Sequence, residues 1–142
     1  MIDSSKVTWE IFLEALLRKE GRKLPNGEWA TGDDGKALGP FQIWKVYWKD
    51  SGVDFPYEKC VEIKASKLCI AGYMKRHEYA AWSNVNHRFA TIDEIMALAK
   101  CHNGGPNWRK KKGQARENLT NYWKEFRKIL EEVLSESENV HQ

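Results

Sequence analysis

The sequence predicts an α+β domain that is mostly helical, with one small β-hairpin in its N-terminal third. Three observations predict it. Apolar residues recur at helical spacing along much of the chain. Residues 28–43 break that rhythm and read as two short strands around an Asp-Gly turn. The length of 142 residues, with 42% hydrophobic side chains, allows one well-filled core but not two ordinary domains.

The first helix is expected over residues 8–20, where Trp9, Phe12, Leu13, Leu16 and Leu17 fall on one stripe. Thr8 is its N-cap, Val7 and Phe12 have the spacing of a hydrophobic staple, and Gly21 suits the C′ position. The strands follow in "EWAT" and "ALGPFQI", with Asp33 and Asp34 at the tip between them. Trp44, Tyr47 and Trp48 return to helical spacing for a short turn. Pro56 suits the first turn of the next helix, which runs to about His77 with a break near Lys64. "TIDE", residues 91–94, is a capping box. Its helix carries Ile95, Met96, Leu98 and Ala99 and stops at "HNGGP". "RKKKGQAR" reads as a basic loop, and the last helix as about Leu119 to Leu134. Residues 1–134 form the domain, and 135–142 are expected to fray.

Composition excludes some classes of function. With 23 basic and 20 acidic side chains, the net charge of +3 does not argue for nucleic acid or a membrane surface. No apolar run approaches the roughly 20 residues of a membrane span. Cys60, Cys69 and Cys101 show no metal spacing, and neither a metal nor a cofactor is expected. On one straight helix Cys60 and Cys69 would sit about 13.5 Å apart along the axis, outside disulfide reach, so three buried thiols are expected. The opening "MIDSSKVTWE" lacks the regions of a signal peptide.

Two acidic positions stand out: read alone, Glu20 is a surface residue at a helix end and Asp33 and Asp34 are turn residues, and only as a pair do they point to chemistry. Glu20 continues the apolar stripe, at i+4 from Leu16 and i+7 from Leu13. Burial and the negative end of the helix dipole favour its neutral acid, which can protonate a leaving oxygen. Asp33 and Asp34 sit in a polar turn that favours the anion, and either could be the partner of Glu20. One neutral and one ionised carboxyl are what glycosidic cleavage requires.

The segment "KEG…GDDGKALGPFQIWKVYWKDSG", followed by "YMKRH", "ALAKCHNGGPNW" and "NYWKEF", resembles the invertebrate-type (destabilase-like) lysozymes over roughly residues 8–127. The resemblance implies a lysozyme-like fold with the hairpin beside the cleft. It implies Glu20 as general acid/base and Asp33 as nucleophile or stabiliser. The expected substrate is the β-1,4 bond of peptidoglycan between N-acetylmuramic acid and N-acetylglucosamine, or a chitin-like oligosaccharide. A retaining mechanism would set the two carboxyl groups about 5–5.5 Å apart. The resemblance also implies a secreted or lysosomal protein, whereas few cysteines and the absence of a leader leave an intracellular location open. The basic loop is longer than those lysozymes usually carry.

Trp44, Lys45, Tyr47, Trp48, Tyr73, His102, Asn103 and Gly104 are the expected sugar contacts. Gly104 and Gly105 would let a sugar approach the backbone. Two rival readings stand beside the enzyme. One is a lysozyme-fold protein that binds glycan without cutting it. The other is a nucleic-acid module using Arg109 to Lys112, Arg116 and a stacking Trp108.

Overall fold

The computed structural model describes residues 2–140, with side chains described to residue 139. Met1 and the last two residues of the expected tail lie outside them. The described residues form six α-helices and one two-stranded antiparallel hairpin. In chain order these are α1 (Trp9–Glu20), β1 (Ala37–Leu38), β2 (Ile43–Trp44), α2 (Lys45–Ser51), α3 (Ile63–His77), α4 (Tyr79–Asn86), α5 (Ile92–Gly104) and α6 (Gly113–Val140). The predicted class, mostly helical with one small hairpin, is the class observed. Among the described residues no helix is long and apolar enough to cross a membrane.

Helix α1 begins where Thr8 accepts the Ile11 N–H at 3.1 Å. That bond satisfies one of the orphan donors of the first turn. Its buried stripe of Phe12, Leu13, Ala15 and Leu16 packs on α6, with the Phe12 and Phe126 rings 5.4 Å apart. Burying a side chain such as Phe12 contributes roughly 2–3 kcal/mol. Helix α5 begins in the predicted capping box: Thr91 accepts from the Glu94 N–H at 3.2 Å, and Glu94 accepts from the Thr91 N–H at 2.9 Å. It ends at Gly105, whose φ of 85° only glycine adopts readily.

The structure departs from the sequence reading at several places. "EWAT" is no strand. A single bridge, Gly32 to Ala37, closes the turn that holds Asp33 and Asp34. The hairpin lies one turn later, with Ala37 opposite Trp44 and Leu38 opposite Ile43 around "GPFQ". Helix α4 is absent from the sequence reading because it is short and buries only Ala81 and Val85. The break before α3 falls at Glu62, whose extended backbone separates a 3-10 turn at Tyr57–Val61 from α3.

That break also undoes the single-helix geometry assumed for two thiols. Cys60 on the turn and Cys69 on α3 are near enough to interact, and Cys69 pushes the Cys60 thiol up. All three cysteines are free and buried.

The last helix overruns its predicted ends in both directions, starting at Gly113 and continuing to Val140. The stretch after Leu134, where fraying is expected, is helical through Val140. Two ion pairs hold that end onto the N-terminal region. Arg18 donates from Nη1 and Nη2 to Glu136 at 3.1 and 2.7 Å, and Lys6 meets Glu138 at 2.9 Å.

Candidate active site

Glu20 is the last residue of α1 and is half-buried. The chain leaves the helix through Gly21, but not in the left-handed conformation expected of a C′ glycine. Gly21 is extended, with φ −75° and ψ 139°. Space is what demands glycine there. A Cβ would lie 2.7 Å from the Leu17 carbonyl oxygen, 2.8 Å from a Trp29 ring carbon and 3.1 Å from the Pro40 carbonyl oxygen. The absent side chain lets the end of α1 close onto the Trp29 loop and the hairpin turn.

Asp33 and Asp34 both have left-handed backbones, with φ 49° and 57°. Asp tolerates that region better than most residues but not without strain. Gln42, in the hairpin turn, is also left-handed at φ 55°. Its amide nitrogen donates to the carbonyls of Ala30 and Gly39, each at 3.0 Å. Its amide oxygen occupies the space that a Cβ at Gly32 would take.

These pieces enclose one groove of about 560 Å³, lined by Lys19, Glu20, Gly21, Arg22, Ala30, Thr31, Gly32, Asp33 and Gln42. Glu20 and Asp33 therefore share a groove, although 13 positions separate them in the chain. Both aspartates are exposed, and Asp34 does not line the groove. Asp33 and Gln42 on its wall are both non-glycine residues at positive φ, a conformation the surrounding structure must impose.

Tyr122 of α6 donates its hydroxyl to Glu20 Oε1 at 2.6 Å. Burial, reinforced by the Glu20 charge, holds the Tyr122 phenol well above its ordinary value, so it remains a donor. Lys19 stacks 4.8 Å from the Tyr122 ring centroid and pairs with Glu125 at 3.2 Å.

A second groove of about 420 Å³ contains six of the eight expected sugar contacts: Trp44, Tyr47, Tyr73, His102, Asn103 and Gly104. Tyr47 and Tyr73 stack with centroids 3.6 Å apart. His102 fixes this wall. Its Nε2 lies 3.0 Å from the Phe41 carbonyl oxygen, which can only accept, so Nε2 carries the proton and Nδ1 accepts from the Tyr47 hydroxyl at 2.9 Å. Burial pushes His102 below its ordinary value, against the opposing pull of the Glu20 charge. The neutral, doubly bonded ring is a clamp rather than a proton carrier.

Two expected contacts do not line this groove. Lys45 is exposed on α2. Trp48 follows Tyr47 by one residue, about 100° round the helix. It donates its indole N–H to the Phe55 carbonyl at 2.8 Å and packs beside Tyr57. Gly104 lines the groove, yet its missing Cβ makes room for Leu119 and Trp108 rather than for a ligand.

The basic loop is partly engaged by the protein itself. Arg109 makes a bidentate pair with buried Glu78, at 2.8 and 2.6 Å. Trp108 lies under Arg109 and Lys100, 4.2 and 5.6 Å from its ring centroid. Among the described residues no group of three or more metal-ligating side chains clusters.

Sequence reasoning missed Gln42, Lys19 and Arg22 as parts of the first groove, and Tyr122 as the partner of Glu20. Tyr122 reads as a core residue on its helix stripe. Gln42 stands within "GPFQI", where a polar residue in an apolar run was the available signal. No protein-family model matches the chain, and no curated protein or solved structure matches it.

Proposed function

We propose that this protein is a glycoside hydrolase, a muramidase of lysozyme-like fold that cleaves the β-1,4 bond between N-acetylmuramic acid and N-acetylglucosamine with retention of configuration. One observation carries the reading: Glu20 and Asp33 line the same groove. The motif resemblance agrees with it. In this reading Glu20 donates its proton to the leaving glycosidic oxygen. Asp33 attacks the anomeric carbon or stabilises the oxocarbenium-like sugar. Glu20 then takes a proton from the water that releases the product. The Tyr122 hydrogen bond to Oε1 favours Oε2 as the oxygen that presents the proton. The aromatic groove of Trp44, Tyr47 and Tyr73 supplies flat faces for neutral sugars, and exposed Asn103 supplies donors for an acetamido group. Secretion or lysosomal residence follows from the resemblance and belongs to the same proposal.

Digestion of purified peptidoglycan tests this reading. New reducing ends on N-acetylmuramic acid, released first as the β-anomer, are the expected result. A digest with no new reducing ends would reject the enzyme and favour a glycan-binding protein.

A further inference from the structure

The groove holding Glu20 and Asp33 carries two cations, Lys19 and Arg22. In the aromatic groove, the charged wall residue is Asp50, which already pairs with His77 at 3.2 Å. Lys19 is likewise engaged, by Glu125 and the Tyr122 ring. Arg22 differs. It is exposed, and its guanidinium has no hydrogen-bond or ion-pair partner among the described residues. Its backbone is nonetheless held, because the Arg22 carbonyl accepts the Ala30 N–H at 2.7 Å. The next residue, Lys23, bridges to Trp29 and lies 5.1 Å from that ring. A free guanidinium is thus tethered at the rim of the candidate catalytic groove.

We propose that Arg22 is a specificity residue: it recognises a carboxylate carried by the sugar seated beside Glu20 and Asp33, and so favours anionic wall glycan over neutral chitin-like glycan. The inference rests on the glycosidase reading above. Guanidinium presents a planar pair of donors that matches a carboxylate bidentately. The muramic acid sugar carries such a group on its lactyl ether, and its peptide stem carries more, whereas a chitin chain carries none. The two grooves therefore differ in character. The aromatic one suits the uncharged sugar and the one with Arg22 suits the acidic sugar. Because Arg22 is exposed, solvent and salt screen the contact and the discrimination is moderate.

The test compares wild-type protein with Arg22→Gln and Arg22→Lys. The substrates are soluble peptidoglycan fragments, the same fragments with their carboxylates amidated, and chitin oligosaccharides. The expected result is a fall of about three- to tenfold in the peptidoglycan-to-chitin ratio of kcat/KM for Arg22→Gln. Arg22→Lys should fall between the two, and amidation of the fragments should erase the difference between wild type and Arg22→Gln. An unchanged ratio, or a loss that persists on amidated fragments, overturns the role of Arg22 while leaving the glycosidase intact. Wild-type protein that cleaves none of the three overturns both.

Discussion

Tyr122 and Glu20, 102 positions apart in sequence, are joined by a 2.6 Å hydrogen bond in which the phenol donates to Oε1. The last long helix thereby orients the carboxyl that ends the first. Tyr122→Phe removes the donor while keeping the ring and its packing. Under the proposed mechanism hydrolysis falls several-fold. Initial rates on purified peptidoglycan check the fall.

Asp33 lines the groove and its neighbour Asp34 does not. Asp33→Asn should lower hydrolysis by at least about 10²-fold, while Asp34→Asn should stay close to wild type. Asn also tolerates left-handed backbone, so neither change disturbs the turn. The two variants assayed side by side on peptidoglycan assign the nucleophile.

His102 makes stability depend on pH. It is buried neutral, and its folded value lies below its unfolded value near 6.5. Below that unfolded value the unfolded chain binds a proton that the folded chain refuses. Stability is therefore full above about pH 6.5 and declines as pH drops toward the lower folded value. Urea midpoints at several pH values should show the decline, and His102→Gln should flatten it.

Gly21 tests the close approach of α1 to the hairpin. Its φ of −75° suits any residue, so Gly21→Ala incurs only the overlap with Leu17, Trp29 and Pro40. A cost of about 1–3 kcal/mol is expected, read as a lowered urea midpoint. Activity should fall as well, because relieving the overlap moves Glu20 away from the turn that holds Asp33.

The fold was legible where one physical signal dominated. The stripe of α1 and the Thr91–Glu94 box needed only local rules, and both are observed. Tertiary contacts decided the rest. Arg18 and Lys6 hold a helical end that looks frayed when read alone. The hairpin turned out to sit at "GPFQ" rather than at "GDDGK". Asp-Gly does mark a turn there, but only one bridge closes it. For the site, residue types at motif positions brought out Glu20, Asp33 and most of the aromatic groove. Tyr122 and Arg22 were not legible, because what places them beside Glu20 is packing between segments far apart in the chain or loop geometry after the helix. Trp48 does not line the aromatic groove for a local reason, being one position round the helix from Tyr47.

The most direct measurement of the central claim is the rate of reducing-end release from peptidoglycan by Glu20→Gln, with folding verified by circular dichroism. Glutamine still accepts the Tyr122 hydrogen bond but has no proton to give a leaving oxygen. The account predicts a folded protein whose rate falls on the order of 10²–10⁴-fold. A folded Glu20→Gln protein that hydrolyses the wall at the wild-type rate would contradict it.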